Sequence, residues 1–233
     1  GATSVNTLYA RLPMTLSGPV VSLRSITPGD AAFVHGLRSD PVLARHLHPV
    51  TGGIEGQARW LKKAEIRGYY VIAGPTGDCG LLRLSNLCDA GFTWGSWLLH
   101  PAMKPRRAAL ASALMVYRIG FDLLGLPKAT FDVRRANTAA LAFHDRFGAT
   151  RIGATETDIL YRLTASDWNR AAPGFSILPP QAANWPPGSR RRFCVSPGRG
   201  SISAAPKSPC SRRIGPRTAV RGMRSAAVTD WMP

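Results

Sequence analysis

The chain has 233 residues, of which 45% are apolar, with a mean hydropathy of −0.06. That suits one ordinary globular domain with appendages, and no apolar run approaches the ~20 residues of a membrane-spanning helix. The net charge of +17 points to anionic partners without choosing between nucleic acid, acidic membranes and nucleotides. Residues 1–18 carry no charged-then-apolar leader, so a flexible extension and a cytoplasmic location are expected. The four cysteines, Cys79, Cys88, Cys194 and Cys210, include no C-x-x-C pair, so reduced thiols and no metal are expected.

In chain order, Val20–Ile26 reads as a strand. Thr27-Pro28-Gly29-Asp30 opens a helix to about Arg38, with Thr27 as N-cap and Pro28 in the first turn. Asp40 and Pro41 start a short helix to about His46. A helix over Ile54–Ile66 carries Gln57, Trp60 and Leu61 on one side. Strands follow at Tyr69–Ala73 and Gly80–Ser85, joined by a Gly/Pro/Asp turn, and at Phe92–Leu99. Leu110, Leu114, Tyr117, Phe121 and Leu124 form an apolar stripe that predicts a helix over Arg107–Leu124, with Gly125 as its C-terminal cap. Ala129–Val133 is a strand, Asn137 caps a helix to Phe147, and Arg151–Ala154 with Ile159–Leu163 form a closing hairpin. This order predicts an α/β fold: a central mixed sheet of six to seven strands with helices on both faces.

Composition changes after Trp168. Residues 174–233 hold nine prolines, ten Lys/Arg and one acid, and show no helical or strand period. A segment of that kind buries too little apolar surface to offset its chain entropy, so residues 167–233 are expected to be a disordered basic tail.

Two constellations carry chemistry. In the first, a strand ends at Leu99, a basic loop with Lys104, Arg106 and Arg107 follows, and a long helix opens on Ala108, Ala109 and Leu110. A helix start with unpaired amides and small side chains can receive phosphate, although a basic start can equally be a solvated face. In the second, Ala140, Phe143, His144 and Phe147 share one helix face after Asn137. His144 is then either a core histidine or a proton donor in a cleft.

The order and spacing resemble the GNAT superfamily of N-acetyltransferases, in its ribosomal-protein and amino-sugar branches, over about residues 19–166. The family's phosphate loop, Arg/Gln-x-x-Gly-x-Gly/Ala with a preceding Pro, is matched by Pro101, Lys104, Arg107 and Ala109, with Arg107 standing where glycine is usual. The family's Asn, Tyr and Gly spacing is matched by Asn137, His144 and Gly148.

The resemblance implies acetyl-CoA as co-substrate, bound by Leu98, Leu99, Lys104, Arg106, Arg107, Ala108, Ala109, Leu110 and Asn137. It implies two parallel strands, Phe92–Leu99 and Ala129–Val133, that splay apart, and direct attack of an amine on the thioester without metal. His144 inherits the protonation of the departing thiolate, and Asp132 and His100 are the candidate bases. The acceptor pocket falls to Arg38–Trp60, with His46, Gln57 and Trp60. The implied acceptor is a small-molecule amine, an amino sugar or sugar nucleotide. A peptide or protein N-terminal amine and an inactive CoA-binding module are the alternatives. A homodimer is compatible with this reading, no membrane partner is expected, and nucleic acid is expected only nonspecifically through the basic tail.

Overall fold

The computed structural model describes residues 4–47, 52–62 and 66–177. The part of the predicted tail beyond residue 177 lies outside the described residues.

Among the described residues eight strands form one sheet: β1 (Thr15–Ser17), β2 (Ser22–Ser25), β3 (Tyr69–Gly74), β4 (Gly77–Cys88), β5 (Gly91–Leu99), β6 (Lys128–Arg134), β7 (Thr150–Ala154) and β8 (Asp158–Thr164). Their spatial order is β1-β2-β3-β4-β5-β6-β8-β7, and of the paired neighbours only β5 and β6 run parallel. The mixed α/β sheet is as the sequence predicts. The additional strand is β1, which a short polar run conceals.

Helices pack on both faces. On one face lie α4 (Ala108–Tyr117) and α5 (Thr138–Phe147), which share a core cluster with Phe92, Trp94, Trp97, Phe131 and Tyr161. Every residue of α4 is buried, so it is a central helix and not an amphipathic surface one. It continues as a π-helical turn over Arg118–Leu123, in which the Leu124 N–H reaches back five residues to the Ile119 carbonyl at 2.9 Å. The wide turn brings Gly120 against Phe92: a Cβ at Gly120 would stand 2.1 Å from the ring. The other face is covered by α2 (Ala31–Ser39) and α3 (Gly53–Leu61). There Val34, Leu37, Leu43 and Leu61 bury Val71, Leu81 and Leu98. The predicted helix after Asp40 is instead a run of turns, held by the Asp40 carboxylate, which accepts from the Val42 and Leu43 amides at 2.8 Å.

The packed unit extends past both predicted limits, 19 and 166. α1 (Val5–Ala10) buries Leu8, β1 buries Leu16, and α6 (Ala165–Ala171) buries Trp168. Arg11 donates to the Leu123 carbonyl at 2.6 Å, and the Trp168 indole donates to Asp122 at 2.8 Å. Residues 4–17 and 165–177 thus belong to the core that they were expected to flank.

Candidate active site

The site begins with a local irregularity in β5. Leu81 of β4 faces Leu98, but Arg83 faces Gly95, so two steps along β4 answer three along β5. The extra residue is a β-bulge, and Ser96 in it adopts φ 50°. The bulge resets the alternation, and Trp94 and Trp97 enter the same core cluster with ring centroids 5.0 Å apart. The Trp97 indole then donates to Ser112 on α4 at 3.1 Å.

The bulge also turns β5 away from β6. The two strands pair only at Phe92–Ala129 and Thr93–Thr130, whereas β6 stays paired with β8 to Arg134. Beyond Thr93 and Thr130 a gap opens between them. Backbone groups along it lack a partner strand, and a ligand arm can supply one.

His144 lies under this gap. Its ring centroid is 4.4 Å from Phe131 of β6, 5.8 Å from Trp94 and 6.1 Å from Trp97 of β5, with Phe143 and Tyr161 completing an aromatic cage. It is fully buried, and among the described residues neither ring nitrogen has a hydrogen-bond partner. Burial pushes its pKa down to about 3, against a small opposing pull from Asp145, so the ring is neutral at neutral pH. Asn137 caps α5 by accepting from the Ala140 amide at 3.1 Å, while its buried Nδ2 has no partner among the described residues. Buried polar groups ordinarily find a partner, so these orphaned nitrogens on α5 fit a polar ligand lying in the gap.

The loop from β5 to α4 is tightly wound. The Met103 and Lys104 amides donate to the His100 carbonyl, and the Ala102 amide donates to His100 Nδ1 at 3.3 Å. His100 thereby shapes the loop. Pro105 abuts Gly74 of the β3–β4 hairpin, where a Cβ would stand 3.0 Å away. Arg107 has φ 65°, the left-handed region, so the backbone keeps the shape glycine normally gives while the side chain is exposed. Ala109 and Leu110 then present first-turn amides that have no carbonyl four residues back within the helix. Arg106 and Arg107 are exposed and Lys104 half-buried around this opening. The arrangement fits a diphosphate, and Arg107 adopts a left-handed conformation that glycine takes without strain.

The opposite side of the gap faces α2, α3 and the turns between them. Asp132 shares a face of β6 with Arg134, opposite to the buried Phe131 and Val133. Burial, and next the charge of Asp158, push its carboxyl up to about 7. His46 is held below its usual pKa by burial and then by the positive charges of Arg45 and Arg134. Gln57 is buried on α3. Trp60 packs edge-on to Tyr69 at 5.6 Å, with the Arg83 guanidinium 5.8 Å from its ring. Of the three residues predicted for the acceptor, His46 accepts from its neighbour Arg45 at 3.1 Å, while Gln57 and Trp60 lie on α3, with Trp60 packed against Tyr69.

Leu98 is buried against the α2–α3 face and Leu99 against the α4 face. The bulge at Ser96, and Arg83, Arg45 and Arg134, were not among the predicted site residues. Gly95-Ser96 inside an apolar strand was the available sign of the bulge. Among the described residues no group of three or more His, Cys, Asp or Glu could hold a metal ion, and no helix is long and apolar enough to cross a membrane.

Comparison with known proteins agrees with this geometry. The model of the acetyltransferase (GNAT) domain matches residues 21–150. Among solved structures the chain is similar to apo FdhC, described as a nucleotide-linked sugar GNAT. The two share 28% identity with a TM-score of 0.64, over 72% of this chain and 99% of that one. It shares the fold of a GNAT-family acetyltransferase from Bacillus anthracis (15% identity, TM-score 0.58, 66% and 99% of the two chains). It also shares that of a mutant of the SpeG spermidine N-acetyltransferase from Vibrio cholerae (16%, 0.53, 64% and 96%). No curated protein matches the chain. With its sheet parted between β5 and β6 and over half its length matched by the family model, the chain belongs to the GNAT acetyltransferases, which move an acetyl group from acetyl-CoA to an amine.

Proposed function

We propose that the protein acetylates the primary amine of a nucleotide-linked amino sugar. The observation that carries this reading is Asp132, a carboxyl on the acceptor side of the gap with its pKa pushed up to about 7. A base poised near neutrality is suited to taking the proton of an attacking amine. The similarity to a nucleotide-linked sugar GNAT, across 99% of that chain, supports the acceptor class.

Acetyl-CoA supplies the activated acetyl group. The Ala109 and Leu110 amides, with Lys104, Arg106 and Arg107, would hold its diphosphate, and Asn137 would meet its pantetheine arm. Backbone N–H groups of β5 along the gap, around Leu98 and Leu99, would stabilise the oxyanion that forms as the amine attacks. Asp132 accepts the amine proton. His144 is neutral, so its task in this cage is to offer one ring N–H to the departing sulfur and not to deliver a proton from an imidazolium. His46 flanks the acceptor, His100 shapes the phosphate loop, and Gln57 and Trp60 form the wall.

The test is steady-state acetyl transfer from acetyl-CoA to a nucleoside-diphosphate amino sugar, followed by release of free thiol. The expected result is turnover that rises with pH through about 7, as Asp132 loses its proton. Asp132→Asn should lower kcat by about 100-fold or more and remove that rise. Faster turnover of a peptide N-terminus or a polyamine than of the sugar nucleotide would refute the proposal.

A further inference from the structure

We propose that Asp158 is a positioning residue for acetyl transfer: it draws the Arg134 guanidinium across the β6–β8 ladder, so that Asp132 meets the acceptor amine without a counter-ion of its own. The inference deepens the function proposed above and rests on it for the role of Asp132 as base.

Asp132 and Arg134 alternate with buried Phe131 and Val133 along β6, so they project from one face, ~6.6 Å apart along the strand. A carboxylate and a guanidinium so placed ordinarily pair. Pairing lowers a carboxyl's pKa by about 1–3 units, and a base weakened in that way takes an amine's proton poorly. The structure shows a different pairing. Asp158 of β8 stands directly opposite Arg134 in the antiparallel ladder, and Arg134 Nε approaches Asp158 Oδ1 at 3.6 Å. That is an ion pair longer than a hydrogen bond. Asp132 stands opposite Leu160, and among the described residues it has no ion pair. A directly opposed cross-strand residue is nearer than one two steps along the same strand, so Asp158 has the advantage over Asp132 for the guanidinium.

Asp158 is also fixed in place. Thr157 donates its hydroxyl to Asp158 Oδ2 at 2.6 Å, and the Asp158 amide donates to Thr155 Oγ1 at 2.9 Å. The Thr155 amide donates in turn to the Asp158 carbonyl at 2.8 Å. This β7–β8 turn is tied to the end of β6 by the neighbour of Arg134: the Arg135 amide donates to the Thr157 carbonyl at 2.9 Å, and Arg135 Nε to the Thr155 carbonyl at 3.0 Å. Asp158 Oδ1 is buried and accepts no hydrogen bond among the described residues, so Arg134 is the cation that offsets it.

Few other charges bear on Asp132. β5, across the gap, carries no charged residue. On β8 its diagonal neighbours are Asp158 and the exposed Arg162. α5 lies on the opposite face of β6, where His144 is buried against Phe131 and neutral at neutral pH. On the acceptor side, His35 and Arg38 of α2, Arg45 and His46 after it, and Glu55 and Arg59 of α3 make no hydrogen bond or ion pair to Asp132. Burial and then the charge of Asp158 push the Asp132 carboxyl up to about 7, and Arg134 pulls it down least. That balance fits a guanidinium held on the far side of the ladder.

The experiment follows the Asp132 carboxyl directly, by carbon-13 NMR of full-length protein labelled at aspartate, with Asp132→Asn identifying the resonance. Wild type should titrate near 7. A wild-type midpoint at or below about 4, the ordinary carboxyl value, would mean that Asp132 is already ion-paired, and overturns the proposal without recourse to any variant. Asp158→Asn keeps the side chain's shape and an oxygen for the Thr157 hydroxyl but releases Arg134. Its Asp132 midpoint should fall by about one unit or more. The rise of kcat with pH should move down with it, and turnover above about pH 8 should drop about tenfold at unchanged KM for acetyl-CoA. Adding Arg134→Gln to Asp158→Asn should return both the midpoint and the turnover toward wild type, a rescue that a merely structural role for Asp158 does not give. An unmoved midpoint in Asp158→Asn, or no recovery in the double variant, overturns the proposal. Midpoints that move as expected, with a pH dependence of turnover that ignores them, would sustain the pairing and remove Asp132 from the proposed function instead.

Discussion

Asp132 and His144 flank the same gap, and burial moves their titrations in opposite directions. His144 has a folded pKa of about 3, below its unfolded value, so the native state binds fewer protons. Its contribution to stability is present above pH 6.5 and is lost as pH falls toward 3. Asp132 has a folded pKa of about 7, above its unfolded value. Its contribution is present below pH ~4 and is lost as pH rises through 7. Single substitutions separate the two. His144→Phe, which fits an aromatic cage without a titrating group, should shift acid unfolding to lower pH when followed by circular dichroism, and should lower turnover. Asp132→Asn should remove the fall in stability between pH 4 and 7 while leaving the acid limb in place. If His144→Phe left the acid midpoint unmoved, the histidine would not be buried neutral. The helical spacing placed His144 inward from the sequence alone, because Ala140, Phe143 and Phe147 mark that face. That it has no partner could not be read there, since partners come from other elements.

At the scale of elements, most boundaries follow from local chemistry, as with the Thr27/Asp30 capping box and the Asn137 cap of α5. The gap between β5 and β6 does not. It depends on a bulge whose residue, Ser96, has no side-chain feature that demands φ 50°, and on β4 fixing the register from outside. The π-helical turn is similarly non-local. Gly120 lies in it because Phe92 fills the space a methyl would need. Gly120→Ala should therefore destabilise the fold by about 1–3 kcal/mol in chemical denaturation, although alanine ordinarily favours helix. Arg107→Gly should behave in the opposite sense. It relieves a non-glycine residue at φ 65°, a strain of about 1 kcal/mol that is partly offset by the entropy of glycine in the unfolded chain. The expected result is unchanged or slightly raised stability at an exposed helix start. A loss near 1 kcal/mol would show that the arginine side chain, not the loop shape, holds this turn.

At the scale of the whole molecule, the sheet reads as a domain of residues 19–166, yet its core is closed by chain from outside those limits. Thr164 and Asp167 form a capping box, with the Thr164 hydroxyl accepting from the Asp167 amide at 3.1 Å and Asp167 accepting from the Thr164 amide at 3.0 Å. The signature T-x-x-D stands in the sequence just before Trp168, and it was the available sign that a helix begins where a tail was expected. Trp168 then covers the end of the central helix, with its ring centroid 5.9 Å from Tyr117 and 6.2 Å from Phe121. Its indole donates to Asp122, which also pairs with Arg118 at 2.7 Å across one helical turn. Trp168→Ala would open a cavity against Tyr117 and Phe121 and leave the half-buried Asp122 carboxylate short of a donor. A loss of about 3–5 kcal/mol is expected for such a change. Trp168→Phe keeps the ring but not the N–H, so it should cost about 1–3 kcal/mol, the price of the unmade bond. A chain ending at residue 177 should match the full-length protein in thermal midpoint and in the rise produced by acetyl-CoA, because Trp168 and the buried Ile177 are retained. One ending at 164 should behave like Trp168→Ala or worse. Equal stability of the 164 and 177 forms would mean that α6 merely lies on the domain, and the aromatic stack from Tyr117 to Trp168 would then lose its part in holding α4, the helix that follows the β5–α4 loop.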